Sequence, residues 1–99
     1  MLTKNEFYQK IKALPKRIPS KTGRGSYGEW ELVDNILNFT RLEKDTRWNL
    51  DVDVLYDLYR KNKFINTIVI KAATNRKVNS PSVAILMAIE CIDSKGNRL

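Results

Sequence analysis

The chain has 99 residues, 42% hydrophobic and 29% charged, with 18 Lys and Arg against 11 Asp and Glu and a net charge of +7. These values fit one domain, 1–99, with a single core, and exclude a second folding unit or wholesale disorder. The absence of histidine removes Ser-His and Cys-His nucleophile pairs, histidine general bases and histidine metal ligands, so a non-enzymatic protein without metal or cofactor is expected.

Thr3 and Glu6 have the spacing of a capping box, and Phe7, Ile11 and Leu14 then recur on one helical face, which predicts a helix over 4–14 stopped by Pro15. Residues 15–26 hold two prolines, two glycines and four cations around a single large apolar side chain, Ile18. They read as a flexible basic arm. Ser26 and Glu29 repeat the capping pattern, and Trp30, Val33 and Leu37 beside Leu32, Ile36 and Phe39 predict a helix over 27–40.

Leu42 to Trp48 reads as a polar connection. Asp51 caps a third helix running to about 61, with Val54, Leu55, Leu58 and Tyr59 inward and Asp57 four residues before Lys61 as an ion pair. Residues 64–74 fit two patterns: β-branched density suggests a strand at 64–72, whereas Ile65, Ile68, Val69, Ala72 and Ala73 have helical spacing. Helix is preferred because a lone strand lacks a partner. Ser80 and Pro81 open a last helix over 81–93, with Gly96 as a cap beyond it. That segment is apolar nearly all round and is expected at the centre.

The fold expected is therefore mainly α, a small bundle of about five helices with an apolar C-terminal central helix and a basic N-terminal loop; α+β with a strand at 64–72 is the alternative. No apolar run reaches the roughly 18 residues of a membrane span, and Met1 to Lys12 lacks a hydrophobic signal core, so a cytoplasmic location is expected. Cys91 has no cysteine or histidine partner and reads as a small buried hydrophobe, as Trp30 reads as core and Trp48 as core cover.

Charge is segregated. Residues 1–27 carry seven cations against one carboxylate, 28–58 three against eight, and 59–99 eight against two. A basic excess of this kind favours polyanions. The string Gly23-Arg24-Gly25-Ser26-Tyr27-Gly28 lacks the preceding strand and βαβ context of a dinucleotide fingerprint, but a glycine loop entering a helix at Tyr27 presents free amides to a phosphate. Lys16, Arg17, Lys21 and Arg24 add charge there, and Tyr27 is placed to stack or hydrogen-bond. Arg76 and Lys77 form a second basic cluster before the last helix. Asp53 and Asp57 could share a helix face as cation ligands, but a capping and ion-pair role explains them better.

The function expected is an accessory protein that binds DNA or RNA phosphates through Lys16, Arg17, Lys21, Arg24, Tyr27, Arg76 and Lys77. The alternative is a small protein-interaction module or inhibitor that docks on a larger nucleic-acid-processing protein, with the acidic middle, Glu29 to Asp57, imitating its substrate's charge.

Overall fold

In the computed structural model, which describes residues 1–74 and 78–99, the chain runs α1 (Lys4–Lys12), β1 (Arg17–Pro19), β2 (Ser26–Val33), β3 (Ile36–Arg41), β4 (Thr46–Asp51), α2 (Val52–Lys61), α3 (Thr67–Thr74) and α4 (Asn79–Ala88). The strands form one antiparallel sheet in the order β1-β2-β3-β4. The fold is thus α+β, and the expectation of a mainly helical bundle is corrected.

Elements encoded by local bonds form where the sequence places them. At α1 the Thr3 hydroxyl accepts from the Glu6 amide at 3.2 Å while the Glu6 carboxylate accepts from the Thr3 amide at 2.9 Å. The Asp51 carboxylate accepts from the amides of Asp53 and Val54 and starts α2. Asn66 does the same for Val69 at 3.0 Å, opening α3 as a helix and setting aside the strand at 64–72. In these cases the partners lie two or three residues apart, so no tertiary contact is needed.

The helix expected over 27–40 is a hairpin of β2 and β3. Its turn is Asp34-Asn35, with Asp34 at φ 55°, a left-handed conformation that Asp tolerates and a helix interior does not contain. Trp30, Leu32, Leu37 and Phe39 satisfy a two-residue period across that turn as well as a helical one. Ser26 does not cap a helix; its amide and hydroxyl turn instead to Glu43. Glu29 and Trp30 together face Phe39 between the pairs Gly28↔Thr40 and Glu31↔Asn38, a β-bulge with Glu29 at φ 53°. The bulge restores the inward phase for Trp30 and Leu32.

Residues 15–26 lead into and close a hairpin in which β1 pairs with the start of β2. Ile18 on β1 is 2% exposed and pairs with Tyr27, so the apolar side chain that stood alone in the sequence anchors the segment to the core. The polar connection expected over 42–48 narrows to a turn, with Asp45 at φ 50°, followed by β4.

One sheet face is apolar. Cross-strand neighbours Ile18 and Tyr27, then Leu32, Leu37 and Leu50, then Phe39 and Trp48, share it, and Phe7, Leu55, Tyr59, Ile70, Ile85 and Leu86 of the helices complete one core cluster. Each such side chain contributes about 1.5–3 kcal/mol on burial. The last helix is largely buried, as expected, but spans 79–88. Pro81 lies within its first turn, where a missing N–H costs no intrahelical bond. Beyond it Ile89, Cys91 and Ile92 are buried outside any helix. Gly96 stands at φ 92° in the following turn, away from the helix end, and Asp57 pairs with Arg60 at 3.5 Å in place of Lys61. No helix among the described residues is long and apolar enough to cross a membrane.

Candidate nucleic-acid interface

The β1–β2 hairpin carries four of the basic residues. Its tip closes through Ser20 N–H to Gly25 C=O at 2.8 Å, Gly23 N–H to Ser20 C=O at 3.0 Å, and Gly25 N–H to the Ser20 hydroxyl at 3.2 Å. Gly23 supplies the positive φ, 75°, that this tight reversal needs. Lys21 and Arg24 are exposed on the tip, Arg17 is exposed on β1, and Lys16 is exposed just before it.

At the mouth of the hairpin lies a cleft of about 390 Å³ lined by Arg17, Arg24, Gly25, Ser26 and Glu43 among others. Glu43 reaches in from the β3–β4 turn. Its carboxylate accepts from the Ser26 amide at 2.6 Å, the Ser26 hydroxyl at 2.5 Å and the Arg17 guanidinium at 3.0 Å. The Ser26 hydroxyl and amide, with Arg17 beside them, hold this carboxyl below its ordinary range. Against the same Gly25 lies Arg41: a Cβ there would stand 3.4 Å from Arg41 Nε and Nη2 and from Glu43 Oε1. Arg41 Nε is buried and has no hydrogen-bond partner.

A second basic position comes from the sheet itself. Arg17, Gly28, Thr40 and Arg47 are successive cross-strand neighbours on the face opposite the core. Four strands place the two arginines about 14 Å apart, with two small residues between them. Arg47 Nη1 donates to Glu29 C=O at 2.8 Å and to the Thr40 hydroxyl at 3.0 Å, which fixes its side chain across the bulge, with Glu31 at 3.8 Å.

Sequence reasoning missed Ser26, Arg41 and Glu43, which meet only through the strand pairing, and Arg47, which the same pairing sets in register with Arg17. Tyr27, expected to stack or hydrogen-bond at a helix N-terminus, sits on the core face of β2 at 4% exposure, edge-on to Phe39 at 5.9 Å. Burial pushes its phenol up, and it does not share the surface of the cations. The glycine loop likewise leads into a strand, which lacks the aligned amides of a helix start. The second cluster, Arg76 and Lys77, lies outside the described residues.

Other sequence candidates are accounted for locally. Asp53 accepts from the Tyr8 hydroxyl at 2.7 Å and pairs with Lys4 at 3.1 Å; Asp57 pairs with Arg60. Among the described residues no group of three or more His, Cys, Asp or Glu is arranged to hold a metal ion. Cys91 is 1% exposed, and burial pushes its thiol up to about 11. Trp48 is part-buried against the core, and Trp30, also part-buried, donates from Nε1 to Pro15 C=O at 2.7 Å. No family model, curated protein or solved structure matches this chain.

Proposed function

We propose that this domain binds nucleic acid without catalysis, contacting backbone phosphates through the β1–β2 hairpin and the adjoining sheet surface at Arg47. The observation that carries the reading is that Lys16, Arg17, Lys21 and Arg24 are all exposed on one hairpin, with Glu43 bonded to Arg17 among them. Guanidinium and ammonium groups exposed together neutralise phosphates and release counterions. Arg47, in register with Arg17, extends the positive surface across the sheet.

The acidic middle lends less support to the docking alternative, because its carboxylates have structural work nearby. Asp51 caps α2, Asp53 and Asp57 pair with Lys4 and Arg60, Glu31 with Arg47 and Glu43 with Arg17. Glu29, Asp34 and Asp45 occupy positive-φ positions in a bulge and turns.

Fluorescence anisotropy with duplex DNA, single-stranded DNA and RNA across a salt series tests the proposal. Three to four phosphate contacts correspond to a log–log salt slope of about −2.7 to −3.6 on duplex, a ~40- to ~150-fold weakening between 50 and 200 mM. Replacing Lys16, Arg17, Lys21 and Arg24 by alanine is expected to flatten that slope and to weaken binding to all sequences alike. Unchanged affinity would remove the hairpin from the interface, and no binding at low salt would leave a protein partner as the reading.

A further inference from the structure

The cleft beside Ser26 is a built anion seat already filled by the protein's own carboxylate. Its donors are those that contact phosphates elsewhere: a backbone amide and a hydroxyl from Ser26 and the guanidinium of Arg17, all directed at Glu43. One donor is left over. Arg41 Nε lies against the same Gly25 as the Glu43 carboxylate, is buried, and is bonded to nothing. A planar carboxylate has two oxygens, and both are engaged, Oε1 with the Ser26 amide and Oε2 with the Ser26 hydroxyl and Arg17. A tetrahedral anion offers a third oxygen out of that plane.

Charge points the same way. Arg17 and Arg24 line the cleft and Arg41 adjoins it, so three cations surround the single carboxylate of Glu43. Exchanging Glu43 for an internal phosphodiester replaces one negative charge by one, whereas a phosphate monoester brings about −1.5 to −2 at neutral pH. Glu43 hangs from a turn with its side chain 36% exposed, so it can leave the seat without disturbing a strand.

We infer that the Arg17–Ser26–Arg41 seat binds a phosphate monoester, with Glu43 as the built-in group that the monoester displaces. On the nucleic-acid reading, on which this inference rests, the ligand is the terminal phosphate of a strand; a free mononucleotide carries the same chemistry. The seat then gives the domain a preference for phosphorylated ends over continuous backbone, with the hairpin cations holding the adjoining strand.

The test compares one oligonucleotide sequence with a 5′-phosphate, a 3′-phosphate or hydroxyl ends, with a mononucleoside monophosphate as competitor, against the wild-type chain and the variants Glu43→Gln, Glu43→Ala and Ser26→Ala. Thermal melts establish that each variant is folded. A phosphorylated end is expected to bind at least ~5-fold tighter than hydroxyl ends. Removing the carboxylate charge in E43Q, or vacating the seat in E43A, is expected to widen that ratio, and S26A to erase it. In parallel, inorganic phosphate titrated into E43A is expected to shift the Ser26 and Gly25 amide resonances. Equal binding of all three ends in wild type and E43A, with salt-dependent affinity intact, overturns the seat and leaves the hairpin reading standing. No oligonucleotide binding at all, with inorganic phosphate still shifting Ser26 in E43A, overturns the nucleic-acid reading and leaves a monoester seat for a small ligand. Competition by the mononucleotide at the concentration that saturates the phosphorylated end assigns the seat to free nucleotides.

Discussion

Gly28→Ala probes both the sheet and the interface with one methyl group. Gly28 sits in the row Arg17, Gly28, Thr40, Arg47, and a Cβ there would collide with the backbone oxygen of Lys16 and lie 3.3 Å from Leu42 Cδ1. The leucine methyl can swing aside. The Lys16 carbonyl cannot, because it belongs to the chain entering β1, and relief requires β1 to move away from β2. Overpacking of this kind costs about 1–3 kcal/mol. Gly28 has no positive φ, so alanine also restricts the unfolded chain and returns about 0.4–1 kcal/mol.

The net loss expected for Gly28→Ala is about 1–2 kcal/mol, which for a chain of this size lowers Tm by roughly 5–15 °C. Urea denaturation followed by far-UV circular dichroism measures it, with the midpoint falling and the slope m unchanged. Hydrogen exchange locates it, since protection of the amides bonded between β1 and β2 should fall before that of β3 and β4. Nucleic-acid affinity should drop with it, because Lys16 and Arg17 move off the sheet. A variant as stable as the parent would refute the close approach of β1 to β2 and the placement of Arg17 that follows from it.

Two further outcomes follow from the packing and the charges. Tyr59→Phe removes the hydroxyl of a 1% exposed tyrosine, which accepts from the Leu2 amide at 2.8 Å, and is expected to cost about 1 kcal/mol and to raise exchange at Leu2 while Tyr56 still bonds the Leu2 carbonyl. Equal Leu2 exchange in both proteins would refute the anchor. The carboxyls of Glu6, Glu43, Asp53 and Asp93 are all held below their ordinary values, by bonds from Thr3, Ser26, Tyr8 and Asn97 respectively. The unfolded chain therefore takes up protons first, so their stabilisation is complete above about pH 5 and is lost as pH falls through the depressed values. Urea midpoints between pH 7 and pH 2 should fall only below about pH 5, and Glu43→Gln should shallow that decline.

Elements whose defining bonds are local can be read from the chain alone. Thr3 with Glu6 and Asp51 with Asp53 and Val54 satisfy helix-start amides within three residues, so α1 and α2 are legible without knowing what they pack on. Tertiary structure decided residues 26–41. There Trp30, Leu32, Val33, Ile36, Leu37 and Phe39 suit either period, and the balance tips to strands because Asp34 takes a left-handed turn and β1 and β4 supply hydrogen-bonding edges on both sides. The same pairing converts Ile18 from an isolated residue in a basic arm into an anchor. It also brings Ser26 within 2.6 Å of Glu43, seventeen residues on, and sets Arg41 beside Gly25. The cations could be counted from the sequence, but the carboxylate and hydroxyl between them are neighbours only in the register of β2 against β3, a long-range choice that no local spacing encodes.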